Sequence, residues 1–543
     1  MFTLSGGHVF PLYDGAVTAD PPMRIVDVRH EQTAVFAAEA TARLTRAPGL
    51  AVLTAGPGVT NGISAVTTAY FNGSPVVVLA GRAPDYRWGS GSLQELDHPA
   101  LLAPVTKRAW TEHDPAGVGP AVARAFELAA APHRGPVFLD VSLEALFGAA
   151  AADLPAAANP GPAGAGSGCP AAAGQPPRPG PAPGDIAGIA ALLGDAARPV
   201  LILGSDVWLD GADEAARAAA AELRLPVIAN GQGRGILPPG HELLMTRARS
   251  AALAAADLVI VVGTPLDFRL GYGQFGGAGG AAPGRVVHVA DAPGGLATHF
   301  ELAATAAGDL TAFFTGLADS ATARGSRGRD KSWLPRLTAA RSAAMAGDAE
   351  LLAAGAVPIH PLRIYGELAP ILEPDAVVIG DGGDFVSYAG KYLEPRRPGR
   401  WLDPGPYGCL GTGLGYAIAA RIARPSAQVV LLLGDGAAGF SLMDVDTLVR
   451  HRLPVVMICG NNGIWGLEKH PMRALYGYDV AADLQPRCRY DDVVTALGGA
   501  GELVTEPGDV GPALRRAFAS GVPYLVNVCT DPLIAYPRST TGI

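Results

Sequence analysis

The sequence predicts an α/β fold of three doubly wound parallel-sheet domains. Three observations lead there. The chain has 543 residues, and at roughly 100–200 residues per domain that length suits about three cores. Continuous apolar runs of strand length recur along it, each closing on a glycine or a polar residue; unbroken runs of this kind mark parallel strands covered on both faces. Two stretches of aberrant composition then cut the chain into three blocks.

In the first block, residues 1–148, the strands are AVLTAG (51–56), PVVVLAG (75–81) and PVFLDV (136–141), with EQTAVFAAEATARLTR (31–46) as a helix. Residues 149–184 are dense in proline and glycine with almost no large apolar side chain. Such a stretch cannot form a core and reads as a linker, partly polyproline-like. The second block, 185–319, carries the strands PVLILG (199–204), LPVIAN (225–230), DLVIVVG (257–263) and RVVHVAD (285–291), and the helix EAARAAAAELR (214–224). Residues 320–354 open on the polar SATARGSRGRDKS and continue as an alanine-rich helical connector. The third block, 355–543, carries DAVVIGD (375–381), QVVLLLGD (428–435), LPVVMICGNN (453–462) and PYLVNV (523–528).

Composition bounds the function classes. With 49% hydrophobic residues, disorder across the chain is excluded. A net charge of −9 argues against a protein built to hold nucleic acid or an anionic membrane. No apolar run approaches the ~18–20 residues of a membrane helix. The opening MFTLSGGHVF lacks the basic region and cleavage site of a signal peptide. The five cysteines are scattered, without a CxxC pair, which suits a reducing, cytoplasmic setting rather than a disulfide framework or zinc site.

The chemistry concentrates in the third block. Gly434-Asp435-Gly436 follows the strand VVLLL, and after 24 further residues Asn461-Asn462 follows the strand VVMIC. In an open α/β sheet, ligands sit beyond the C-terminal strand ends. Two parallel strands would therefore deliver Asp435 and Asn462 to one edge. An anionic oxygen and an amide oxygen suit a hard cation such as Mg²⁺, which keeps phosphate and water among its ligands. The glycines let backbone N–H groups approach phosphate closely at a helix start. A strand-end Asp or an Asn-Gly turn alone would carry little; the pair at this spacing carries the reading.

This arrangement resembles the thiamine-diphosphate signature of the pyruvate decarboxylase and acetolactate synthase superfamily, and the resemblance extends over nearly the whole chain outside the linker. It implies a first block that forms the pyrimidine-binding domain, a central nucleotide-binding-like domain and a third block that binds the diphosphate. Asp435, the Asn462 side chain and the Ile464 carbonyl would hold Mg²⁺. RHEQTAVFAAEA (29–40) matches the segment whose Glu, here Glu31, hydrogen-bonds the aminopyrimidine. Burial favours a carboxyl's neutral form, which suits proton sharing with N1′ and the imino tautomer that acts as base at thiazolium C2. The alternative for Glu31 is an acid complementing a helix N-terminus.

Further segments match in turn. SGGH (5–8), with Gly6 and Gly7, falls at the loop closing over the thiazolium side, and GPGVTNG (56–62) lines the cleft. GSLQELD (91–97) resembles a segment whose Gln, here Gln94, reaches the reaction centre; Lys107 matches a basic residue near the substrate entrance. GDGGDFVSY (380–388), with Gly383 and Asp384, resembles a loop touching the diphosphate, as do Gly434, Gly436 and Ala437. GPYGCLGTGLGYAIAA (405–420), with Gly408, resembles the segment gripping the aminopyrimidine, and Leu410 falls where an apolar wedge bends the cofactor. In the central block LGSD (203–206), GTPLDFRLGYG (263–273) and Asp291 are the nucleotide candidates. Acetolactate synthases bind FAD there, oxalyl-CoA decarboxylases ADP and some relatives nothing.

The resemblance implies a decarboxylating carboligase that joins 2-keto acids, taking two pyruvates to 2-acetolactate and CO₂ in branched-chain amino acid biosynthesis. A 2-hydroxyacyl-CoA lyase or oxalyl-CoA decarboxylase is the alternative within the superfamily, supported by GLGYAIAA and NNGIWG. The segment GIWGLEKHPMRALYGY lacks the GMVxQWQ stretch of biosynthetic synthases, and the C-terminal PRSTTGI offers one arginine to a CoA. A non-catalytic nucleotide-binding relative is the alternative of another class. The residue matching Glu31 serves a cofactor held by another subunit in this family, so a homodimer, or a tetramer, is expected. Relatives place a helix and a turn before the strand in which Met1–Leu4 begins, so the first domain is expected to be truncated and an upstream start to exist.

Overall fold

The computed structural model describes residues 1–149, 178–277, 280, 282–325, 328–534 and 536. Residues 150–177, the bulk of the expected linker, lie outside the described residues, as do 326–327 of the connector and the tail from 537. The described residues form three sheets, parallel throughout their ladders.

The first sheet holds β1 (Phe2–Thr3), β2 (Val26–Asp27), β3 (Gly49–Leu53), β4 (Val76–Gly81), β5 (Arg108–Glu112) and β6 (Val137–Val141), in the order β2-β1-β3-β4-β6-β5. The second holds β7 (Pro199–Leu203), β8 (Val227–Ala229), β9 (Leu258–Val262), β10 (Arg285–Ala290) and β11 (Ala304–Ala307), in the order β11-β10-β9-β7-β8. The third holds β12 (Val377–Asp381), β13 (Trp401–Leu402), β14 (Val429–Gly434), β15 (Val456–Asn461), β16 (Ala500–Val504) and β17 (Tyr524–Cys529), in the order β13-β12-β14-β15-β17-β16. The first and third sheets thus share one strand order.

Every apolar run read from the sequence contains a strand. The strands those runs do not reveal have a common cause. β1, β2 and β13 are two residues long. β5, β11 and β16 lie at sheet edges, where most of their residues are only partly buried, so no continuous apolar run is needed. Central strands β4, β7, β9, β12 and β15 are buried along their whole length.

Contacts group the chain into two units. One comprises Met1–Arg178 with Tyr407–Pro425 and Met443–His451; the other comprises Pro179–Pro406, Ser426–Leu442 and Arg452–Ile543. In the first unit the helix Glu31–Thr45 packs on the helix Thr412–Ala423. Gly415 permits that crossing: a Cβ there would stand 2.7 Å from Phe36 Cβ and 3.0 Å from the Thr33 carbonyl oxygen. A buried polar lock accompanies it, with the Tyr416 hydroxyl donating to Glu39 Oε2 at 2.8 Å and Asn72 Nδ2 to Glu39 Oε1 at 2.8 Å. In the second unit the core under the third sheet gathers Tyr365, Phe385, Trp401, Val430, Ile458 and Val526.

Candidate active site

In the second unit, β14 and β15 pair with Gly434 opposite Gly460, so both strands end at one edge. Asp435 opens the helix Asp435–Ser441 directly after β14, and the turn Asn461–Asn462–Gly463 follows β15. The Asp435 carboxylate is buried. Its Oδ1 accepts from the Gly436 N–H at 3.0 Å and its Oδ2 from the Gly463 N–H at 2.7 Å. Burial pushes its pKa up to about 6, the backbone donors offsetting only part of that effect. Asn462 Oδ1 accepts from the Ile464 N–H at 3.2 Å, which closes the turn tightly over Asp435. Asn461 Nδ2 donates to the Cys488 carbonyl at 2.9 Å and to Asn527 Oδ1 at 3.0 Å, and Asn527 Nδ2 reaches Asp491 Oδ1 at 2.9 Å. This buried amide chain fixes the strand end from behind.

A glycine cradle stands beside these groups. The strand order reverses between β12 and β14, the topological switch point where α/β sheets bind ligands. Gly382, at φ 97°, follows β12 there. A Cβ on it would stand 3.2 Å from Ala437 Cβ and 3.3 Å from the Gly434 nitrogen. Cβ atoms at Gly383, Gly436 and Gly466 would collide with Leu467, Trp465 and the Asp384 carboxylate. The segment Trp465–Leu467 therefore lies directly on the turns after β12 and β14. The donor set fits a hard cation: a buried carboxylate answered, among the described residues, by backbone N–H groups, with an amide oxygen on the adjacent turn.

The first unit carries a second set at the C-terminal edge of its own sheet. Glu31 opens the helix after β2, is 7% exposed, and its Oε2 accepts from Asn61 Nδ2 at 3.1 Å. A Cβ on Gly58 would stand 2.7 Å from Thr54 Cγ2 and 3.9 Å from Glu31 Oε1, while one on Gly6 would collide with Thr54. Gly6 and Gly58 thus both pack on Thr54, and Gly58 lies beside the second carboxylate oxygen of Glu31. Gly7 begins the 3₁₀ turn Gly7–Val9, with open space where its side chain would be. Asp444 holds the start of the Glu31 helix, accepting from the Arg29 N–H at 2.8 Å and the Thr33 hydroxyl at 2.6 Å.

Gln94 sits at φ 62° against Gly56, where a Cβ would stand 2.7 Å from Gln94 Cβ. Gly408, at φ 70°, and the half-buried Leu410 lead into the helix Thr412–Ala423, which packs on the Glu31 helix. Lys107 is not brought to this edge. It precedes β5 at the opposite, N-terminal edge of the sheet, and its ammonium donates to the Ala131 carbonyl at 2.5 Å. Its spacing from Gln94 spans the short helix His98–Leu102 and the crossing to the start of β5, which carries the chain away from Glu31.

In the central sheet, the turns after β7 and β9 press together. A Cβ on Gly204 would collide with the Gly263 carbonyl, and Asp291, 3% exposed, follows β10. Several site neighbours escape sequence reading, namely Thr54, Asn61, His98, Asp140 and Gly382. Asn61 and Gly382 lie inside motifs already singled out. Thr54 follows β3, His98 opens a short helix and Asp140 lies within β6, and only the fold assembles them.

The edge of the third sheet has the features of an α/β ligand site: glycine turns at a topological switch point beside a buried carboxylate that fits a hard cation. The particular class follows from comparison with known proteins. Three family models match in order: the thiamine pyrophosphate enzyme N-terminal TPP-binding domain over residues 1–101, the central domain over 186–317 and the C-terminal TPP-binding domain over 381–528. The chain is 49% identical over 541 residues to the acetolactate synthase large subunit IlvG of Mycobacterium tuberculosis, covering 99% of this chain and 94% of that protein. It is 33% identical over 547 residues to the 2-hydroxyacyl-CoA lyase 2 of Xenopus laevis, covering 93% and 83%. The human 2-hydroxyacyl-CoA lyase 2 is 32% identical over 564 residues, covering 97% and 87%. The chain belongs to the thiamine pyrophosphate enzyme family. Among the described residues, no helix is long and apolar enough to cross a membrane.

Proposed function

We propose that the chain is a thiamine-diphosphate- and Mg²⁺-dependent carboligase of the acetolactate synthase type, which converts two pyruvates to 2-acetolactate and CO₂ in branched-chain amino acid biosynthesis. The observation that carries this reading is the 49% identity to an acetolactate synthase large subunit along almost the entire chain. When bound, the cofactor would supply a nucleophilic carbon and an electron sink for decarboxylation. The protein's part follows from its own residues. Asp435, Asn462 and the Ile464 carbonyl hold Mg²⁺. The turns at Gly383–Asp384 and Gly434–Ala437 take the diphosphate through backbone N–H groups. Glu31 presents Oε1 to the aminopyrimidine while Asn61 holds Oε2. Gly6, Gly7, Gly408 and Leu410 shape the ring's seat, and Gln94 stands over the reaction centre.

In the homodimer, or tetramer, of this reading, Glu31 serves the cofactor held by a second copy. The protein works in the cytoplasm on small 2-keto acids. FAD in the central domain belongs to the same reading, with Asp291 at the ribose; a visible spectrum of the purified protein tests it. The second reading, a 2-hydroxyacyl-CoA lyase, rests on the 33% identity to that group. Incubation with pyruvate, thiamine diphosphate and Mg²⁺ separates the two. Release of 2-acetolactate supports the first; inert pyruvate with cleavage of a 2-hydroxyacyl-CoA replaces it with the second.

A further inference from the structure

We infer that His98 and Asp140 form a positioning pair that clamps the Gly56 turn and, through it, the loop carrying Gln94. Both side chains are 0% exposed. His98 Nε2 accepts from the Gly56 N–H at 2.9 Å, and His98 Nδ1 lies 2.9 Å from Asp140 Oδ2. The two bonds fix one tautomer. Nε2 must be bare to accept from an N–H, so the proton sits on Nδ1 and is donated to Asp140. Arg82 stands behind Asp140, with Nη1 3.7 Å from Oδ2, and its guanidinium lies 3.6 Å over the Trp88 ring.

The clamp has something to hold. Gly56 lies at φ 59° and ψ −114°, and Gln94 at φ 62°, a region a side-chain-bearing residue rarely adopts. The two face each other closely enough that Gly56 has no room for a Cβ. A side-chain-bearing residue held in such a region, as Gln94 is, persists there only where its surroundings over-determine it. A buried imidazole bonded on one side to the turn and on the other to a carboxylate supplies that constraint. His98 also lies only four residues after Gln94 in the chain, so it ties the Gln94 loop to the Gly56 turn directly. His98 touches none of the proposed ligands and is a positioning residue. The catalytic half of the inference rests on the proposed function, through the role of Gln94; the clamp itself does not.

The test uses the full-length protein and two variants, His98→Phe, which removes both bonds, and His98→Gln, which keeps an acceptor near the Nε2 position. Hydrogen–deuterium exchange is followed by mass spectrometry. His98→Phe should exchange about tenfold faster in the peptides spanning 54–60 and 88–97, the loss of one buried hydrogen bond. The β5 and β6 peptides should stay protected, and His98→Gln should restore much of the lost protection. Thiamine diphosphate affinity should stay within about twofold of wild type, while kcat on pyruvate falls in the Phe variant and recovers in the Gln variant. Unchanged exchange in both peptides of His98→Phe would overturn the clamp. So would a loss spread evenly over the first sheet with no rescue by Gln. Pyruvate inert even to wild type, with the local exchange pattern intact, overturns the proposed substrate and leaves the clamp standing.

Discussion

Asp435 shows how one residue's environment sets its chemistry. Burial pushes the pKa of this carboxylate, which accepts from the Gly436 and Gly463 N–H groups, up to about 6, and a cation beside it would hold it ionised. Without cofactor, this raised pKa makes stability depend on pH. The folded chain binds this proton more tightly than the unfolded chain, whose carboxyl titrates near 3.8. Stability is therefore lost as pH rises through the window from about 4 to 6, by up to about 1.4 kcal/mol per pH unit. Asp435→Asn removes that titration. Urea unfolding without cofactor should show wild type losing about 2 kcal/mol relative to the variant between pH 4.5 and 6.5. Saturating thiamine diphosphate and Mg²⁺ at neutral pH should stabilise wild type and leave the variant unmoved. Glu31→Gln should keep cofactor affinity and lower turnover by at least about a hundredfold, the usual weight of a positioned proton-transfer group. These residues stand out in the sequence because two motifs fix their spacing. Lys107 lies at the opposite edge of its sheet, a position that a count of residues from Gln94 does not show.

Among the elements, the helix Glu31–Thr45 carries the most consequence. Its first residue is the proposed proton relay, Asp444 holds its start, and its side meets the helix Thr412–Ala423. Gly415→Ala puts a methyl group 2.7 Å from Phe36 Cβ at that crossing. Overpacking of this kind costs about 1–3 kcal/mol, more than the helix propensity alanine returns. A lower urea midpoint together with reduced turnover should follow, since the displaced helix carries Glu31. Gly382→Ala adds a side chain at φ 97° against Ala437 and should weaken thiamine diphosphate binding roughly tenfold or more while the fold survives; calorimetric titration reads this directly. The helix itself and the buried central strands could be read from apolar continuity. The edge strands β5, β11 and β16 could not, because a half-exposed edge places little demand on composition.

At the scale of the whole molecule, the first and third sheets share one strand order, and each presents half of the proposed site at its C-terminal edge. The three-block division read from composition leaves one sheet in each block. It did not reveal that Tyr407–Pro425 and Met443–His451, parts of the third block, group with the first unit, since an alanine- and glycine-rich helix does not advertise its partner. If the halves of each site come from different copies, Glu31→Gln and Asp435→Asn proteins, each inactive alone, should complement when mixed under subunit exchange. Random pairing of dimers would leave roughly a quarter of the sites intact, and activity near that fraction is expected; none would place both residues of a site in one chain. The most direct test of the central claim is product analysis of the purified protein with pyruvate, thiamine diphosphate and Mg²⁺. One 2-acetolactate and one CO₂ are expected for every two pyruvates consumed. Untouched pyruvate, with cleavage of a 2-hydroxyacyl-CoA under the same conditions, would contradict it.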